Sequence, residues 1–146
     1  MSSASGGRGI LVALQAATHH ILDRLSKELA ALGLSPAEIN LLAQFEDERA
    51  LTVAELVRAT RQRPSTVTGI LDRLERRGLC RREINPRDRR SFTVCLTPSG
   101  TSAAAAVERA FETIERQLDQ TIGKRDRDGF HAVVRAIKRL PPPTAA

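Results

Sequence analysis

The chain has 146 residues, a formal net charge of +6, four Phe and neither Trp nor Tyr. That length is enough to bury a core and suits one domain, with or without dimerising extensions. Without aromatic platforms a base-stacking single-strand binder is disfavoured. No apolar run reaches a membrane span, and no charged-then-apolar signal core opens the chain, so the reading is a cytoplasmic protein with no membrane partner.

Residues 1–9 are rich in Ser, Gly and Ala and read as disordered. A helical pattern runs from Ile10 to about Leu32, with Leu11, Leu14, Ile21, Leu25, Leu29 and Leu32 recurring at three, four or seven, and Gly33 stops it. Ser35-Pro36-Ala37-Glu38 starts the next helix with a capping Ser, Pro at the first position and a Glu that closes the box. Ile39, Leu42 and Phe45 supply its core face. Ala50-Leu51-Thr52 reads as a brief strand. Thr52-Val53-Ala54-Glu55 then repeats the capping-box pattern for a helix to about Ala59.

Residues 60–63 carry no apolar side chain and read as a turn. Pro64 begins a helix predicted to reach Arg77, with Gly78 in the left-handed position beyond it. Val67, Ile70, Leu71 and Leu74 form its core stripe, and Ser65, Gly69, Asp72, Arg73 and Arg76 point the other way. Leu79–Ile84 and Ser91–Leu96 read as two strands flanking Asn85-Pro86-Arg87-Asp88-Arg89-Arg90, a turn with three Arg. A helix-turn-helix followed by a basic hairpin is a winged helix, whose helix enters a major groove while the wing reaches the backbone or minor groove beside it.

Thr97-Pro98 caps a further helix with Val107, Phe111, Ile114, Leu118 and Ile122 in register, ended by Gly123. A last helix is predicted from Arg125 to Leu140, with Phe130, Val133, Val134 and Ile137 inward, before a flexible, Pro-rich tail at 141–146. The fold class is therefore mainly α with a small β-wing: a winged helix-turn-helix over 35–97, and helices at 10–34 and 98–140 forming a dimerisation region. Those terminal helices carry more apolar surface than the small head needs, which a self-complementary homodimer would bury.

The positive charge is localised. Residues 58–90 hold eleven Arg against four acidic residues, whereas the rest of the chain has twelve basic against thirteen acidic residues. Such a patch is the footprint of a polyanion, here double-stranded DNA.

Ser65-Thr66-Val67-Thr68, Leu71-Asp72-Arg73-Leu74-Glu75, Gly78-Leu79, Asp88-Arg89-Arg90 and Leu96-Thr97-Pro98-Ser99-Gly100 together resemble the MarR family of bacterial transcription regulators. The resemblance is detailed over about 50–100 and departs at Gly69, where many members carry a longer side chain, often Arg. It implies a homodimer built from the helices at both chain ends. It also implies repression by covering a promoter, with release by an effector. In such proteins the Asp-x-Arg pair sits at the wing, which makes Asp88 the orienting group for Arg90.

The DNA-binding candidates are Arg63, Ser65, Thr66, Thr68, Gly69, Arg73, Arg87, Arg89 and Arg90. His19 and His20 would line a ligand cavity of the kind the resemblance implies. Adjacent helical positions diverge by about 100°, so they do not make a shared metal site, and no metal or other cofactor is expected. Centring the hairpin on Pro86–Arg89 puts Cys80 directly opposite Cys95. That makes them candidate redox thiols, against the plainer reading of packing thiols. No nucleophile, base and orienting group come together, so no catalytic residue is assigned. Two functions remain: a repressor on a pseudo-palindromic operator released by a small-molecule or oxidant signal, and an architectural or protein-interaction module with weak non-specific DNA binding. The ratio of specific to non-specific affinity separates them.

Overall fold

The computed structural model describes residues 9–45 and 49–141. The expected disorder of 1–9 and flexibility of 141–146 thus lie outside the described residues, except at Gly9 and Pro141; Gly9 is already the N-cap of the first helix. Helix α1 covers Ile10–Glu28, and a 3₁₀ turn follows at Ala30–Leu32. The continuous helix expected to Leu32 therefore tightens at its end. Leu32 and Gly33 donate to the carbonyls three residues back, and Gly33 adopts φ 58°. This turns the chain sharply enough to bury Leu34.

Helix α2, Pro36–Leu42, opens on the predicted capping box. The Glu38 N–H donates to Ser35 Oγ at 3.3 Å, and the Ser35 N–H donates to the Glu38 carboxylate at 2.8 Å. Strand β1 is Leu51–Thr52 and helix α3 is Val53–Thr60, capped reciprocally by Thr52 and Glu55. Arg61 closes α3 in the left-handed region at φ 54°. Helix α4 is Pro64–Arg76, and Gly78 takes φ 70° just beyond it. Its stripe Val67, Ile70, Leu71 and Leu74 is buried, as are Leu25, Ile39, Leu42 and Leu56.

Strands β2, Cys80–Ile84, and β3, Phe92–Leu96, pair antiparallel, and β1 adds to the far side of β3 in the order β1-β3-β2. The register differs from the expected one by a residue. Cys80 pairs with Leu96, Arg81 with Cys95 and Ile84 with Phe92. The turn sets this: Asn85 pairs with Ser91 through its N–H to the Ser91 carbonyl at 2.9 Å and through its side-chain amide to Ser91 Oγ at 3.0 Å, so the loop is centred on Asp88. Because side chains alternate across a strand, the one-residue shift sends Cys80 and Cys95 to opposite faces. They do not oppose each other.

Helix α5 is Pro98–Thr121 and helix α6 is Lys124–Lys138. The chain divides into two compact units, one ending at Phe111 and one beginning at Glu112. In the second unit Val133, Val134 and Ile137 are half-buried, but Phe130 is exposed, contrary to its expected inward position. In the first unit, Leu25 and Leu29 are buried and Leu11 is exposed.

The entry to α5 is locked to the exit from α4. The Thr97 hydroxyl donates to the Gly78 carbonyl at 2.6 Å, the Thr97 N–H donates to the Leu79 carbonyl at 3.1 Å, and the Gly100 N–H donates to Thr97 Oγ1 at 3.1 Å. Gly100 is pressed so closely against this corner that a Cβ there would lie 1.7 Å from the Leu79 carbonyl oxygen. In an open helix Gly→Ala gains about 1 kcal/mol. Here Gly100→Ala should instead destabilise by about 1–3 kcal/mol or more, because backbone rather than a flexible side chain must yield. Urea unfolding measures the sign, and a stabilised variant would contradict the close approach.

Candidate nucleic-acid interface

The N-terminus of α4 is open. Arg63 is its N-cap in extended conformation, but no side chain caps the first turn, and Pro64 occupies the first position. Ser65 and Thr66 are exposed there, with Thr68 beside them. Pro64 has no N–H and the Thr66 N–H donates to the Arg63 carbonyl at 3.0 Å, so this helix start offers an anion chiefly the Ser65 N–H and the small hydroxyls, which permit close approach. Gly69 is half-buried one turn on, and a Cβ there would make only ordinary contact, 3.9 Å from the Arg73 guanidinium. No neighbouring atom therefore requires glycine at this position.

The wing loop is shaped by two successive side-chain-capped turns. The Asn85 side-chain oxygen accepts from the Arg87 N–H at 3.0 Å, and the Asp88 N–H donates to the Asn85 carbonyl at 3.2 Å. The pattern repeats one step later: Asp88 Oδ1 accepts from the Arg90 N–H at 3.0 Å, and the Ser91 N–H donates to the Asp88 carbonyl at 3.0 Å. Asn, Asp and Pro are the residues such turns require. Asp88 therefore meets Arg90 through its backbone, not through the guanidinium as the sequence reading supposed. The geometry leaves Arg87, Arg89 and Arg90 all exposed, with no ion pair to a described residue.

Other arginines serve the structure. Arg73 and Arg77 both reach the buried carboxylate of Glu38 at 3.5 Å, and Arg77 also donates to the Gly33 carbonyl at 3.0 Å and to the Leu32 carbonyl. Arg73, assigned above to DNA, is thus shared with an internal carboxylate. Arg76 joins Arg73 and Arg77 around an open cleft of about 470 Å³ with Gly33, Ser35 and Glu38. Sequence reasoning missed Arg82. Its guanidinium pairs with Asp72 and with Glu75, the latter at 2.8 Å, and its N–H donates to Glu75 at 3.0 Å. The available signal was two acids one turn apart on α4, followed within ten residues by an arginine on the adjoining strand.

The remaining candidates are not brought together. His19 and His20 are exposed on α1, and the His19 ring donates from Nδ1 to the Gln15 carbonyl at 2.8 Å. Neither lines the cleft. Among the described residues, no group of three or more His, Cys, Asp or Glu could hold a metal. Burial, reinforced by Glu75, pushes the Cys80 thiol up to about 11. Burial, then Glu83, also raises Cys95. Both remain protonated at neutral pH, which with their opposite faces removes the basis for a facing redox pair.

Residues 34–92 match the MarR family model. The HTH-type transcriptional repressor MdtR of Bacillus subtilis (strain 168) is 33% identical over 91 residues, covering 62% of this chain and 59% of MdtR. Over that stretch the chain is similar to the MarR family. Members are transcriptional regulators rather than enzymes. The structure of the repressor CouR bound to a 23-mer DNA duplex superimposes with a TM-score of 0.77 at 25% identity, covering 95% of this chain and 99% of that one. The S. aureus MepR–DNA complex shares the fold, with a TM-score of 0.80 at 19% identity over 90% of this chain and 96% of MepR. This chain carries the winged helix in its first unit, and no described helix is long and apolar enough to cross a membrane.

The Arg82 clamp has a pH signature. Hydrogen bonds from the Arg82 guanidinium and backbone hold the Glu75 carboxyl below its ordinary value. Such a carboxylate adds stability above its unfolded pKa of about 4.3 and loses that contribution as pH falls through its lower folded value. Glu75 is 38% exposed, so the pair is worth no more than about 1 kcal/mol. Between roughly pH 5 and 3, wild type should lose more stability than Arg82→Met. Urea midpoints measure the difference, and equal losses would remove the clamp.

Proposed function

We propose that this chain is a transcriptional repressor that binds a pseudo-palindromic operator as a homodimer and is released by a small-molecule effector. The observation that carries the reading is the pairing of an uncapped α4 N-terminus, bearing exposed Ser65, Thr66 and Thr68, with a wing bearing exposed Arg87, Arg89 and Arg90. The first group suits phosphate and base edges in a major groove, and the second suits the backbone or minor groove beside it. Arg63 adds charge at the helix entry, Gly69 leaves room for a base edge, and Arg73 exchanges between Glu38 and phosphate. The likeness to MdtR and to DNA-bound CouR supports the same reading.

The dimer rests on apolar surface. Ile10, Leu11 and Val12 are exposed on α1, as are Phe111 and Leu118 on α5 and Phe130 on α6. Exposed apolar groups on helices assigned to dimerisation favour a second copy as their cover. Residues 10–34 and 98–140 are proposed as that dimerisation region, and 35–97 as the DNA-binding head. The effector is assigned to a small molecule because the two thiols neither face each other nor ionise at neutral pH. His19 and His20 remain candidates for its cavity if the dimer covers α1. Operator binding places the protein in the cytoplasm.

Three measurements check this reading. Sedimentation at micromolar concentration should show a dimer, and a well-behaved monomer would sink the interface. With two heads each making about four phosphate contacts, log affinity for duplex DNA should fall against log salt with a slope of about −7. Ser65→Ala with Thr66→Ala should weaken binding to a selected duplex without changing the unfolding midpoint. A flat salt response would contradict the DNA reading altogether.

A further inference from the structure

The wing carries an apolar pair that none of the assigned roles uses. Ile84 is 62% exposed and Phe92 is 50% exposed, and the two residues face each other directly as the last pair of the hairpin before the loop. The observed register alone creates this pair. Had the loop been one residue shorter, Phe92 would oppose Glu83 and the two side chains would lie on opposite faces.

The face they occupy matters. Alternation puts Ile84 and Phe92 on the same side of the hairpin as Cys80, Arg82 and Val94. Cys80 and Val94 are buried at the base of that side, and Arg82 is tied to Asp72 and Glu75 of α4. The same face therefore runs from core, through the clamp on α4, to an uncovered apolar tip. Immediately beyond the tip stand Arg87, Arg89 and Arg90.

We propose that Ile84 and Phe92 form an apolar contact with the sugar edges of duplex DNA, inserted between the arginines of the wing and the N-terminal end of α4. The inference rests on the DNA-binding reading above and adds the non-ionic part of the wing's contact. Charge selects this occupant. Three exposed guanidiniums border the pair, and the one acidic residue of the loop, Asp88, spends its carboxylate on the backbone N–H of Arg90. A polyanion that also offers apolar surface matches that border, and the deoxyribose walls and base edges of a groove offer it. A second copy of the chain would bring its own three arginines against these.

Salt separates this contact from the ionic ones, because replacing an apolar side chain releases no counterions. The probe is the duplex that the wild-type protein enriches from a random pool. Ile84→Thr with Phe92→Thr should lower affinity for it roughly tenfold or more, with the log–log salt slope and the urea midpoint unchanged. Unchanged affinity would overturn the proposal, and so would a loss accompanied by a flatter slope, which would mean that the pair only positions the arginines. If wild type itself enriches no duplex, the DNA-binding reading fails rather than this inference. The chain has no Trp, so Phe92→Trp gives a single reporter that does not depend on the double variant. Its emission should shift or be quenched on adding the duplex. Emission that ignores DNA, or that shifts with protein concentration alone, would overturn the assignment.

Discussion

Arg82 is the tie on which the interface depends. A helix face and a loop on a hairpin can read one ligand only if they hold a fixed relation, and two strands alone are marginally stable. Arg82 leaves β2 and closes on Asp72 and Glu75, the two acids one turn apart on α4. β1 adds a third strand through Leu51 opposite Val94. The Thr97 hydroxyl and the bare backbone of Gly100 hold the far end of the hairpin to the corner after α4. Helix, wing base and α5 entry are thereby one packed unit, and only the wing tip extends beyond it.

The arginines of this region divide by what they touch. Arg73 and Arg77 compensate the buried Glu38, which also caps α2, and Arg81 pairs with Glu83 at 2.6 Å. A buried carboxylate left unpaired would be costly, so these cations are partly committed before any ligand arrives. Arg87, Arg89 and Arg90 have no such commitment. The net charge of the segment therefore overstates the charge available to a polyanion, and the useful share is concentrated at the helix entry and the wing tip.

Apolar surface is divided in the same way. The first unit closes around Leu25, Ile39, Leu56 and the α4 stripe, all essentially inaccessible. Ile10, Leu11 and Val12 on α1 and Phe130 on α6 remain open, as does the isolated pair at the wing tip. The helical groups suit a broad protein interface. The wing pair, small and bordered by guanidiniums, suits a different partner.

The sequence by itself determined what depends on neighbours in the chain. Ser35 with Glu38 and Thr52 with Glu55 are capping boxes closed over three residues, and both form as written. Gly33 and Gly78 stop their helices because they accept the left-handed conformation, and the α4 stripe follows from helical period alone. Only the tertiary structure decided what depends on register and on groups distant in sequence. Whether the hairpin centred on Asp88 or half a residue earlier turned on the Asn85–Ser91 pairing, and that choice separated Cys80 from Cys95 while joining Ile84 to Phe92. The Asp88 carboxylate had a guanidinium and a backbone N–H within sequence reach, and loop geometry gave it the N–H. The partners of Arg77 lie 39 to 45 residues away, and the reason for glycine at 100 is the carbonyl of Leu79 across the corner. Such contacts carry no period and no fixed spacing, so they become visible only when packing brings the segments together.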